Sequence, residues 1–234
     1  HTWTGLNPNT TYWFRIQARD NVGNTSVWSS TSPKVTWCDT PNNVTWGTVW
    51  ITSMTVSWSG STDSNPSNTT YVAQVSSTNF TSGTPSSSTT VKSANSAIIT
   101  AGLSPNTTYW ARVIAQNWES VGSTSTATSG KPTLCEAPNN VTWGTVWITS
   151  MTVSWSGSTD SNPSNTTYVA QVSSTNFTSG TPSSSTTVKS ANSAIITAGL
   201  SPNTTYYARV IAQNWENVGS TVTTTPASRV TLCY

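Results

Sequence analysis

Short stretches of this chain alternate apolar and polar side chains with a period of two. Met54, Val56 and Trp58 are interleaved with Thr55, Ser57 and Ser59. Tyr71, Ala73 and Val75 repeat the pattern, and residues 97–100 give a shorter version. Further on, Tyr109, Ala111, Val113 and Ala115 alternate with Trp110, Arg112, Ile114 and Gln116. Successive side chains of a strand point to opposite faces, so each stretch predicts a strand with one face on a core. Turn-forming residues separate them. Residues 61–68 hold Pro66 and several Asn and Asp residues, and residues 82–85 hold Gly83 and Pro85. Gly122 is expected to mark the turn into a last strand. No segment keeps a 3.6-residue period, so almost no helix is expected. Short strands at this spacing predict an all-β sandwich or barrel.

The pattern recurs because the sequence does. Residues 42–109 are identical to residues 139–206. Beyond them Trp110 becomes Tyr207 and Ser120 becomes Asn217, and similarity fades only near the end. One phrase appears three times, 97 residues apart: Leu6-Asn7-Pro8-Asn9-Thr10-Thr11-Tyr12, Leu103-Ser104-Pro105-Asn106-Thr107-Thr108-Tyr109 and Leu200-Ser201-Pro202-Asn203-Thr204-Thr205-Tyr206. Residues 1–37 match the last third of a repeat more loosely. The chain therefore divides into a C-terminal part of a domain (1–37) and two complete domains (38–134 and 135–234). Its start at His1, inside a domain and without Met, is expected for a segment of a longer repeat polypeptide or a processed product.

Composition narrows the class. Charged residues are only 7% of the chain and the net charge is +2, so no strong field gathers nucleic acid or cations. Roughly two in five residues are Ser or Thr, so hydroxyls do most of the solvating. Thirteen Trp and seven Tyr, together with alternating Val and Ile, argue for a packed β-protein rather than a disordered chain. No stretch approaches the ~20 apolar residues of a membrane-spanning helix.

Several features together resemble a fibronectin type III domain. These are Trp58 on an early strand, the Leu-x-Pro-x-Thr-x-Tyr phrase, the alternating strand that ends in Ala115-Gln116-Asn117, and the following Gly122-Ser123. The resemblance implies immunoglobulin-like β-sandwiches of seven strands each, in tandem and arranged end to end. It also implies that Tyr12, Tyr109 and Tyr206 form a tyrosine corner, each hydroxyl reaching back to backbone before its strand. The chain lacks an Arg-Gly-Asp loop, so nothing supports integrin-type adhesion. Thr78-Asn79-Phe80 and Ile114-Ala115-Gln116-Asn117-Trp118 are similar to bacterial cell-surface or secreted versions of the domain.

Catalytic chemistry is scarce. The complete repeats carry almost the same few ionisable groups: Asp63, Glu119, Lys92 and Arg112, matched by Asp160, Glu216, Lys189 and Arg209. Asp63 and Glu119 read as solvated rather than as an acid pair flanking a cleft. His1 is unrepeated, and no glycine-rich phosphate loop is present. Near-duplicate copies also argue against an enzyme, and no cofactor or metal is expected. Cys38, Cys135 and Cys233 share the repeat spacing, one at each junction. Equivalent points on end-to-end domains lie too far apart for bridging within one chain. The choices are half-buried thiols or interchain disulfides.

The candidate chemistry is glycosylation. Asn-x-Ser/Thr sequons occur at Asn9, Asn24, Asn43, Asn68, Asn79, Asn106, Asn140, Asn165, Asn176 and Asn203. In a chain so rich in Ser and Thr, chance supplies many of them, so placement matters more than number. Asn68 and Asn106 lie at expected loop-to-strand entries, where a sugar can project into solvent. Residues 86–90 offer O-linked sites. Trp46, Trp50, Trp110 and Trp118 exceed what a core needs. They suit packing at junctions and under loops, contact between chains, or a platform for sugar rings. The sequence thus points to a structural repeat unit of an extracellular, glycosylated fibre or surface appendage that associates with itself. The alternative is an adhesin, or a carbohydrate-binding or spacer array of a secreted polysaccharide-active protein.

Overall fold

The computed structural model describes residues 1–59, 64–156, 161–225 and 227–234, so Asp63 and Asp160 lie outside the described residues. Apart from strands, its regular elements among those residues are two three-residue 3₁₀ turns, Lys92–Ala94 and Lys189–Ala191. Contacts group the chain into two compact units. One comprises His1–Thr48, Thr55–Ile99 and Trp110–Gly130; the other comprises Val49–Met54, Thr100–Tyr109 and Lys131–Tyr234.

In the first unit, β1 (Thr11–Tyr12) pairs antiparallel with β2 (Lys34–Val35). Then follow β3 (Asn42–Val49), β4 (Met54–Ser59), β5 (Thr70–Ser76), β6 (Ser86–Val91), β7 (Ser96–Ile99), β8 (Thr108–Gln116) and β9 (Gly122–Thr124), of which Val49, Met54, Thr108 and Tyr109 are grouped with the second unit. They form two sheets, one ordered β3-β4-β7 and one ordered β6-β5-β8-β9. Strands β4 and β8 alternate strictly between buried and partly exposed residues, and β5 does so up to Val75, after which Ser76 is buried as well. Thr and Ser take the outward places of β4, and Val72, Gln74, Trp110, Arg112, Ile114 and Gln116 most of those of β5 and β8; Val56, Tyr71, Ala73, Val75, Ala111 and Val113 face inward. The Trp58 ring stacks on Tyr71 with centroids 5.7 Å apart.

In the second unit, β10 (Lys131–Pro132) pairs with Thr108 and Tyr109 at the start of β8. The strands β11 (Asn139–Val146), β12 (Met151–Ser156), β13 (Thr167–Ser173), β14 (Ser183–Val188), β15 (Ser193–Ile196), β16 (Thr205–Gln213), β17 (Thr223–Thr224) and β18 (Arg229–Val230) complete it. One sheet is ordered β11-β12-β15. The other is ordered β14-β13-β16-β17, with β18 also on β16. The last strand of the repeat is thus delivered in two pieces. Met151, Val153, Trp155, Tyr168, Val172 and Val210 belong to one buried cluster. This is an all-β, immunoglobulin-like sandwich of the fibronectin type III pattern, in which the fourth strand pairs with the third.

Two expectations change. Gly122 does not make the turn. It opens β9 and pairs with Gln116. The turn is made by residues 117–121, with Ser120 in the left-handed region (φ +60°). Glycine suits 122 because a Cβ there would run into Ile114 Cγ2. The cysteines are not uniformly half-buried. Cys38 and Cys135 are buried and Cys233 is exposed. Cys135 belongs to the core of the sandwich that follows it. It is the first residue of that core rather than a linker residue.

The two kinds of glycine constraint predict different costs. Gly122→Ala should destabilise the chain by about 1–3 kcal/mol, through overpacking against a β-branched side chain. Gly83→Ala meets nothing within 4 Å but holds φ +74°, and should cost about 1 kcal/mol from backbone conformation alone. Urea unfolding midpoints compare the two variants with the parent. Equal midpoints for Gly122→Ala and the parent would show that the contact is absent.

Candidate interaction surface: contacts between consecutive repeats

The repeated phrase folds into one tight loop at each of its occurrences. In Leu103–Tyr109 the backbone turns at Asn106, which takes φ +42°, a conformation that Asn tolerates better than most residues. Thr107 donates its hydroxyl to the Pro105 carbonyl at 2.9 Å. The Tyr109 hydroxyl accepts the Ser104 N–H at 2.9 Å. Tyr12 does the same for Asn7, and Tyr206 for Ser201, each at 2.9 Å. Thr133, fully buried, closes the loop by accepting from the Thr107 N–H and donating to the Ser104 carbonyl. Thr36 and Thr231 take the same role.

The outer side of this loop carries contacts with the next repeat. Within the second unit, Asn106 Nδ2 donates to Thr166 Oγ1 at 2.9 Å. Trp215 Nε1 donates to Thr108 Oγ1 at 2.9 Å. Buried Asn214 sends Nδ2 towards the Thr133 carbonyl at 3.4 Å. Its Oδ1 meanwhile accepts the N–H groups of Glu216 and Val218 and so shapes the loop that carries Trp215. Lys131 and Glu216 form an ion pair at 2.7 Å. Within the first unit every contact has its counterpart. Asn9 reaches Thr69 at 2.9 Å, Trp118 reaches Thr11 at 3.1 Å, Asn117 reaches Thr36 at 3.4 Å and Lys34 pairs with Glu119 at 3.6 Å. Glu119 is therefore an ion-pair partner at this contact, not a freely solvated acid.

The same geometry sorts the sequons. Asn9, Asn43, Asn79, Asn106, Asn140, Asn176 and Asn203 all have positive φ, so each supplies a turn or bulge that most other residues would strain. Asn9 and Asn106 commit Nδ2 to the repeat contact. Asn43 and Asn140 commit theirs to Ser59 and Ser156. Asn24 donates to Asp20, and this side-chain hydrogen bond is the main influence holding the Asp20 carboxyl below its ordinary range. Asn68, Asn79, Asn165, Asn176 and Asn203 are exposed. Residues 86–90, read in the sequence as a hydroxyl run, belong to strand β6.

The tryptophans divide likewise. Trp46 and Trp143 donate their indole N–H to the Ser129 and Ala227 carbonyls, under loops. Trp110 is half-buried on the outer face of β8. Trp50 and Trp147 are 59% and 60% exposed. Arg112 lies over the Phe80 ring at 4.1 Å and donates to Gln74. Arg209 repeats this with Phe177 at 4.2 Å. In residues 1–37, Phe14 and Ile16 are exposed, whereas their counterparts Ala111 and Val113 are fully buried. Trp3, Leu6, Tyr12 and Phe14 line an open apolar cavity of about 260 Å³ in that segment. Among the described residues no three His, Cys, Asp or Glu side chains come together as a metal site, and no helix is long and apolar enough to cross a membrane.

No family model matches the chain, and no curated protein matches it. Solved structures with a similar fold include a two-domain fibronectin type III segment of chicken tenascin, 18% identical. It covers 82% of this chain and 99% of its own, with a TM-score of 0.49. The FN1–FN3 domains of chicken contactin are 20% identical over 97% of this chain and 77% of theirs, with a TM-score of 0.37.

Asn214→Ala removes three hydrogen bonds at a buried position and should cost about 2–4 kcal/mol. Glu216→Gln touches a partly exposed ion pair and should cost less than about 1 kcal/mol, falling further in high salt. Denaturant unfolding at two salt concentrations measures both. A larger loss for Glu216→Gln than for Asn214→Ala would reverse the ranking.

Proposed function

We propose that this chain is a structural repeat segment of an extracellular, glycosylated fibre or surface appendage, assembled from sandwich domains that associate with copies of themselves. The domains run 38–134 and 135–234, with 1–37 as the C-terminal part of another. The supporting observation is the contact between repeats, which recurs with the same residue types after 97 residues. A chain whose copies each bound a different ligand would be expected to vary its loops between copies. Here the loops are held constant and the junction chemistry is preserved. In a repeat array, stability adds up from units and nearest-neighbour interfaces, so a uniform junction gives a regular element of any length.

Sugars fit this reading at the exposed sequons. Asn68, Asn79, Asn165 and Asn176 present their side chains on loops, where a glycan hydrates a surface poor in charge. Exposed Trp50 and Trp147 favour a second reading, an adhesin or a carbohydrate-binding or spacer array, since each could lie flat against a sugar ring.

Negative-stain microscopy of native material separates the two readings. Regular filaments support the fibre, and isolated flexible strings support the spacer array. Glycopeptide mass spectrometry of the same material should find sugars on Asn68, Asn79, Asn165 or Asn176. Unmodified peptides at all ten sequons would remove glycosylation from the account.

A further inference from the structure

Each sheet ends in strands whose outer backbone groups invite another strand, and proteins normally blunt such edges. Most edges here are blunted. Strand β11 carries Asn140 at φ +51° and two register shifts against β12, and β3 carries Asn43 at φ +50°. The closing strand is broken into β9 and β10 in one repeat and β17 and β18 in the next, and β10 contains Pro132. Strands β7 and β15 have only four residues each.

Strand β6 is different. It pairs with β5 over six consecutive residues, from Thr70↔Val91 to Val75↔Ser86, without a bulge. Strand β14 pairs with β13 in the same unbroken register. Among the described residues no strand pairs with the outer side of either. The sequence Ser-Ser-Ser-Thr-Thr-Val carries no charge and no proline. Its nearest cation, Lys92, is turned back onto the Asn65 carbonyl at 2.6 Å, and Lys189 onto Asn162 at 2.7 Å. Ser87, Thr89, Ser184 and Thr186 are exposed.

We propose that β6 and β14 are lateral self-association edges, each pairing by backbone hydrogen bonds with the corresponding edge of a second copy of this chain. This rests on the reading of the chain as a self-associating array and names the surface that does it. The occupant is a second copy because the edge is self-complementary. It has no charge to repel its twin or to select an oppositely charged partner, and Ser and Thr hydroxyls suit cross-strand pairs with one another. The two hexapeptides are identical, so one chain offers two equal edges, and engaging one raises the effective concentration at the other.

The test uses the full 234-residue chain made in a host that attaches no sugars, studied by sedimentation velocity at low ionic strength over a range of concentrations. The edge variant combines Ser87→Lys, Thr89→Lys, Ser184→Lys and Thr186→Lys. A charge-matched control carries Ser67→Lys, Ser77→Lys, Ser164→Lys and Ser174→Lys at exposed positions outside β6 and β14. Circular dichroism and urea midpoints check that both fold as the parent does. The parent and the control should associate with concentration, and the edge variant should associate at least about tenfold more weakly, because like charges then face each other across the pairing. An edge variant that associates as the parent does overturns the assignment and leaves the array reading intact. Equal weakening in the control also overturns it, since charge alone then explains the effect. A parent that stays monomeric throughout overturns both.

Discussion

A tyrosine hydroxyl that accepts a backbone N–H five residues upstream fixes the loop on which the rest depends. The bond is 2.9 Å long in all three copies of the phrase. It orders Leu, Pro and Asn into a turn whose inner side enters the core and whose outer side carries a Thr hydroxyl and an Asn amide. Those outer groups meet the Trp and Thr of the following repeat. One hydrogen bond of about 1 kcal/mol net therefore supports two structures, the corner of a sandwich and the junction with its neighbour. This dual use gives a reason for the phrase to be kept nearly verbatim while the closing strands drift.

The junction is polar, and this suits a chain with few charges. Its members among the described residues are amides, hydroxyls and indole N–H groups with defined geometry, plus one ion pair in each copy. Such contacts fix orientation more than they add stability, because each replaces a hydrogen bond to water. The apolar contribution comes from the cores and from Cys135, which anchors the start of one sandwich in that sandwich's own interior.

The interior of the sandwich was legible in the sequence. Strands β4, β5 and β8 each have one buried face, and their alternation follows from it. Strand β3 was not picked out, because its alternation is short: Val44 and Trp46 are only partly buried between Thr45 and Gly47, and Asn43 before them takes φ +50°. Strand β6 was not legible either: a run of Ser and Thr reads as a loop or a sugar site, and its strand character comes from pairing with β5. The junction could be found only in part. The repeated Asn-Trp and Leu-x-Pro-Asn phrases stood out singly. Their meeting, the role of Thr133 and the pairing of Glu119 with Lys34 depend on residues about 30 to 110 positions apart, which no local pattern encodes. The sequons illustrate the same limit, since a left-handed Asn followed by Thr matches the glycosylation rule whether or not a sugar is attached.

The junction is tested most directly by the exchange of indole N–H protons in solution, followed by NMR. Trp118 and Trp215 are 63% and 60% exposed, much as Trp50 and Trp147 are at 59% and 60%. They differ in hydrogen bonding: the first pair donates to Thr11 and Thr108, and the second pair has no acceptor among the described residues. If consecutive repeats are held as described, the Trp118 and Trp215 protons exchange markedly more slowly than those of Trp50 and Trp147. Equal rates for all four would mean that the junction is not formed in solution, and the account of a uniform, locked array would fall with it.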